Sequence, residues 1–204
     1  YPFWLEARGK GVPKVIMDTD WQGADHAQSR TANVYFSTLG TSDWLIGPTI
    51  IPTANTKISF KAAYEWDQGI SQMGSDDKLA VMVSEDCGIT WTELGAIRRA
   101  NNLGTDLTPF TFGFAAYANN PVRIAFYASS GTVSDPEKYL IHIDDVEVKE
   151  MYQVDLSLGQ LVSPMASCSF SSSEVLSVEV INNGLSSITN PVMSYSLNNG
   201  SEIN

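Results

Sequence analysis

The chain has 204 residues, 43% hydrophobic and 17% charged, a globular composition that excludes a disordered segment. Its 12 Lys and Arg against 23 Asp and Glu give a net charge of −11, and the basic residues are scattered, so nucleic acid is excluded as a partner. No apolar run approaches the ~18 residues of a membrane-spanning helix, so no transmembrane segment is expected.

In chain order, Trp4 and Trp21 come first, in irregular segments where an indole face could be exposed to stack on a sugar. Asn33–Ser37 and Trp44–Ile50 read as strands. Ile58, Phe60, Ala62, Tyr64 and Trp66 share one strand face, and Ser59, Lys61, Ala63 and Glu65 the other. Strand phase places Trp44, Trp66 and Trp91 in the core. Residues 67–78 form a polar loop before the strand Leu79–Val83.

That strand runs into Ser84-Glu85-Asp86-Cys87-Gly88-Ile89-Thr90-Trp91, the pattern Ser-x-Asp-x-Gly-x-Thr-Trp called an Asp box. Asp86 can accept bonds from turn amides, Gly88 can take positive φ, and Trp91 can anchor the returning strand by burial. Ser84, Asp86, Gly88, Thr90 and Trp91 therefore specify a structural turn. Further on, Phe110, Phe112 and Phe114 alternate with smaller residues, and Val122, Ile124 and Phe126 follow the turn Asn119-Asn120-Pro121, so residues 110–128 read as a hairpin. The last strand of this half, Tyr139–Val148, breaks phase. Ile141 and Ile143 lie on one face and Val146 and Val148 on the other, unless a bulge at Asp144-Asp145 restores the register. Adjacent carboxylates there are costly in a core unless paired or metal-bound.

After Glu150 charge thins while Ser and Asn rise, which places a domain boundary near residues 150–152. Gln153–Leu158, Glu174–Ile181 and Val192–Leu197 read as short strands. Three strands cannot close an immunoglobulin-like sandwich, so the second domain is expected to be incomplete. Many strands, polar turns and no helical period argue for an all-β sandwich. The start at Tyr1, without Met, suggests a processed or excised fragment.

Catalytic patterns fare poorly. Glu65-Trp66-Asp67 supplies two positions of a jelly-roll glucanase motif, but the third falls on Gly69 or Ile70, so the acid/base partner is missing. A sialidase would need several Asp boxes, and there is one. His26 and His142 sit beside no Gly-x-Ser-x-Gly elbow, and His142 reads as a packed or edge histidine. Cys87 and Cys168 lack Cys-x-x-Cys spacing, so free thiols are favoured over a metal site or a disulfide.

Three stretches together resemble a family. Ser42–Ile50, Val81–Trp91 and Ile143–Val148 match, in order, the motifs of choice-of-anchor J and cleaved-adhesin domains, which are MAM-like jelly rolls of secreted bacterial proteins. The tail, Val154–Leu156 through Val178–Gly184, is similar to adhesion-type immunoglobulin-like repeats. The resemblance implies a concanavalin-like jelly roll over 1–150, followed by a partial immunoglobulin-like domain over 151–204. It also implies extracellular or cell-surface placement, no catalysis and a structural Ca²⁺. Asp18-Thr19-Asp20 matches the start of the family's acidic turn, whereas Trp21-Gln22 departs from it.

The expected function is an adhesion or binding module for a glycan or extracellular protein, with a spacer beside a catalytic domain of the parent chain as the alternative. A jelly-roll glycoside hydrolase is the third reading. The candidate ligand-binding residues are Trp4, Trp21, Lys61, Glu65 and Asp67. The candidate calcium ligands are Asp18, Asp20, Asp25, Asp144 and Asp145, with oxygen chemistry suited to that hard cation.

Overall fold

The structure is a computed structural model that describes residues 4–16, 19–26, 28–36, 41–66, 72–135, 138–164 and 173–203. It divides into two compact units, Tyr1–Glu150 and Met151–Asn204. The first holds β1 (Leu5–Arg8), β2 (Val15–Ile16), β3 (Trp21–His26), β4 (Ser29–Phe36), β5 (Ser42–Ile50), β6 (Thr56–Trp66), β7 (Lys78–Ser84), β8 (Thr92–Arg98), β9 (Thr108–Gly113), β10 (Val122–Ser129) and β11 (Tyr139–Glu150). The second holds β12 (Leu156–Ser163) and β13 (Ser177–Asn182). The described residues contain no α-helix, and hence no helix long and apolar enough to cross a membrane.

The first unit is an antiparallel β-sandwich of jelly-roll type. A six-stranded sheet, in the order β2-β1-β5-β10-β7-β8, faces a five-stranded sheet, in the order β3-β4-β11-β6-β9. Period-2 alternation explains why. Ile58, Phe60, Ala62 and Tyr64 on β6 point to the same side as Ile141 and Ile143 on β11, and meet Leu79, Val81, Ile124 and Phe126 of the other sheet in one core. Phe60 meets Phe126 edge-on with ring centroids 5.0 Å apart. Each such buried side chain contributes about 1.5–3 kcal/mol relative to exposure.

Three expectations change. Residues 110–128 are no hairpin: β9 pairs with β6 in one sheet and β10 with β5 and β7 in the other. A 3₁₀ turn at Ala115–Tyr117 and a left-handed Asn119 carry the chain between sheets. The apolar faces of β9 and β10 thus meet across the core instead of lying side by side. Trp44 is fully buried but on the outer side of the six-stranded sheet, in a second cluster with Ile46, Met82 and Tyr127, against which partly buried Trp91 packs. The Gly9 carbonyl accepts from its indole N–H at 2.7 Å and the Gly11 N–H donates to the Tyr127 hydroxyl, so the Gly9–Gly11 segment lies against this layer. Trp21 is buried, 3% exposed, as part of the main core. The side chain of Trp66 lies outside the described residues.

In the second unit β12 and β13 pair antiparallel with irregular register. The expected third strand, Val192–Leu197, is reduced to one bridge between Tyr195 and Ile203. Cys87 is an exposed free thiol, and Cys168 lies outside the described residues.

Candidate functional site

The phase break in β11 is a bulge. Pairing with β6 slips between Asp144 and Glu147, and Asp145 adopts φ +50°. The extra residue leaves Val146 exposed and returns Val148 to the core. It also lifts two carboxylates to one end of the sandwich. There Trp4, half-buried and 5.8 Å from Phe126 by ring centroids, walls a small pocket of about 180 Å³. Ala32, Leu45, Phe126 and Ile143 form an apolar floor, and Arg30, Asp144 and Asp145 supply the charged rim.

Of the expected calcium ligands that are described, Asp144 and Asp145 share the pocket rim, while Asp20 and Asp25 pair with arginines. Asp20 pairs with Arg8 at 3.1 Å, and the same guanidinium holds buried Asp43 at 3.0 Å. Burial still raises the Asp43 carboxyl above its usual range, with Asp20 adding to the shift and Arg8 opposing it. Exposed Asp25 faces Arg30 at 3.5 Å. Asp144 accepts from the Ser29 hydroxyl and from the Asp145 backbone N–H. Asp145 pairs with Lys61 at 2.7 Å, which holds the Lys61 ammonium above its ordinary range. Each of these described carboxylates thus has an ion-pair or hydrogen-bond partner of its own. Asp18 and Asp67 lie outside the described residues.

A second constellation sits on the outer face of the five-stranded sheet. Inward-facing Tyr64, Ile141 and Ile143 force Glu65 and His142 outward, and the β3–β4 hairpin brings His26 onto them. Among the described residues this is the cluster of three metal-ligating side chains: His26, Glu65 and His142. Glu65 Oε2 lies 3.2 Å from His26 Nδ1 and 2.8 Å from His142 Nε2. The imidazoles stack with centroids 4.2 Å apart. His142 is 1% exposed, while Glu65 is about half exposed. Burial, reinforced by neighbouring His26, holds His142 below the usual imidazole range, and Glu65 pulls the other way. The 2.8 Å contact meets a distance criterion but not a directional one, because His142 Nε2 makes no aligned hydrogen bond. Direction decides, since hydrogen bonds weaken steeply off axis.

Of the expected ligand-binding residues, Trp4 reaches the end pocket, Lys61 neighbours it through Asp145, Glu65 belongs to the imidazole cluster, and Trp21 is in the core. Sequence reading missed Arg30 and the meeting of His26 with His142. No spacing signal joins residues on β3 and β11; only the sheet order does. The octet after β7 forms the turn to β8 and presents no site: Asp86 accepts from the Ile89 and Thr90 backbones and the Thr90 hydroxyl.

No protein-family model and no curated protein matches the chain. Among solved structures it is similar to a family 61 carbohydrate-binding module in complex with β-1,4-galactotriose, with a TM-score of 0.44 and 13% identity over 72% of this chain and 88% of that one. It is similar to the glycoside hydrolase domain of Endo-D from Streptococcus pneumoniae, with a TM-score of 0.42 and 12% identity over 77% of this chain and 24% of that one. A third is a xylan-binding module of family 15, with a TM-score of 0.35 and 11% identity over 69% and 90%. At these scores the likenesses bear on neither ligand nor activity.

Proposed function

We propose that the chain is a non-catalytic glycan-binding module of a larger secreted or cell-surface protein, with its ligand seated at the Trp4 end of the first unit. The observation that carries this reading is the pocket. An indole wall and apolar floor suit the C–H face of a pyranose, and a rim of Arg30, Asp144 and Asp145 suits its hydroxyls. At about 180 Å³ the pocket lies below the ~300–1,000 Å³ of sites for drug-sized ligands, so it takes one sugar ring. Glu65 faces the imidazoles of His26 and His142, whereas Asp67, its partner in the expected hydrolase motif, lies outside the described residues. The resemblance to cleaved-adhesin domains supports surface placement.

The test is a glycan panel followed by calorimetry on the best binder. Trp4→Ala should weaken binding at least ~10-fold, about 1.4 kcal/mol, while leaving the fold intact. Equal binding by Trp4→Ala, or release of reducing ends that stops in Glu65→Gln, overturns the reading.

A further inference from the structure

We propose that His26, Glu65 and His142 form a binding site for a divalent transition metal of the zinc class on the outer face of the five-stranded sheet. The site shares no residue with the Trp4 pocket and stands or falls apart from glycan binding. Three strands contribute, β3, β6 and β11, and the three ligand atoms lie within 4.8 Å of one another. The two distances to Glu65 Oε2, 3.2 and 2.8 Å, lie at and somewhat below the ligand separation of a tetrahedral ion, so the ligands spread slightly as one enters. Ligands bound at ~2.0–2.1 Å to such an ion stand roughly 3.3 Å apart.

The hydrogen bonds behind the ligands decide which nitrogens carry lone pairs. Thr105 offers His26 Nε2 a backbone carbonyl at 2.8 Å, and a carbonyl only accepts. His26 Nε2 is therefore the N–H, which leaves Nδ1 free to ligate. The Thr31 hydroxyl donates to the Ala24 carbonyl at 3.1 Å and lies 2.8 Å from His142 Nδ1. A hydroxyl has one proton, so both bonds form only if His142 Nδ1 donates. The Nε2 lone pair of His142 is then buried and without an aligned partner, with Glu65 Oε2 2.8 Å away. Two imidazole nitrogens and a carboxylate are thus held within 4.8 Å of one another with no donor among them. A cation relieves that repulsion, and two imidazoles with one carboxylate are a donor set that zinc takes, with water as fourth ligand. Outward N–H bonds to a carbonyl and a hydroxyl are the supporting contacts that ligating histidines make. His142 is the fixed member. The stacked His26 ring and the half-exposed Glu65 turn toward its Nε2 as the ion enters.

The test uses untagged full chain, stripped with chelator and titrated with Co²⁺ and Zn²⁺. One Co²⁺ per chain should bind, with the visible absorption of a low-coordinate cobalt centre, and Zn²⁺ but not Ca²⁺ should displace it. His26→Ala and Glu65→Gln, at the more exposed positions, should each weaken binding at least ~100-fold with an unchanged circular dichroism spectrum. Thr31→Val should weaken it ~10–100-fold, as loss of a supporting contact does. Folded wild type that takes up no stoichiometric metal overturns the proposal. Uptake unaffected by the His26→Ala/Glu65→Gln double variant overturns it equally.

Discussion

Asp86 shows how one side chain sets a turn. Its Oδ1 accepts from Ile89 N at 3.1 Å and Thr90 N at 2.8 Å, and its Oδ2 from the Thr90 hydroxyl at 2.6 Å. The Thr90 hydroxyl, helped by these amides and by Ser84, brings the Asp86 carboxyl from 3.8 down to about 2. A depressed acid stabilises the fold while ionised. Its contribution is complete above pH 3.8 and lost as pH falls through about 2. Acid titration of the melting midpoint should show a loss in that window that is absent in Asp86→Asn. Gly88 sits at φ +99°, so Gly88→Val should cost roughly 1–3 kcal/mol in denaturant unfolding. These roles were legible because they depend on neighbours in sequence. The pairing of His26 with His142 was not, because it depends on which strands share a sheet.

Strand alternation reveals which face of an element is apolar, but not which sheet it joins. The alternating Phe110 and Phe112, and Ile124 and Phe126, all pack in or against the main core, yet their strands belong to opposite layers. The same blindness hid the second apolar layer: Trp44, placed in the core by strand phase, packs with Tyr127 on the outer side of the six-stranded sheet. The phase break at Asp144-Asp145 was legible and a bulge was one of the two readings it allowed; the structure has the bulge, which brings Ile143 and Val148 to the same side. Between β8 and β9 a missing side chain sets the fit. A Cβ at Gly95 would stand 2.3 Å from the Phe112 ring, which itself packs on Phe60. Gly95→Ala should therefore destabilise the first unit by about 1–3 kcal/mol, measured by chemical unfolding.

At the scale of the molecule, the two units differ in how they bury apolar surface. The first has its own core, built from both sheets. The second leaves Leu158, Leu161, Val162 and Val192 half or more exposed, and Leu156, Val178, Val180 and Tyr195 line an open apolar groove of about 710 Å³. The compositional shift near residue 150 signalled the change of unit, whereas the strand count in the second was overread from short apolar runs. Residues 1–150 expressed alone should melt in one cooperative transition, and residues 151–204 alone should show none by calorimetry, because the two strands among their described residues do not make a stable core.

The central claim is that ligand binds at the Trp4 end of the sandwich. Its most direct test is nuclear magnetic resonance of the labelled chain titrated with the best-binding oligosaccharide. The account predicts that the Trp4 indole N–H and the backbone amides of Arg30 and Asp144–Val146 shift together with one saturating dissociation constant. Shifts confined elsewhere, on the outer face of either sheet or in residues 151–204, would contradict it.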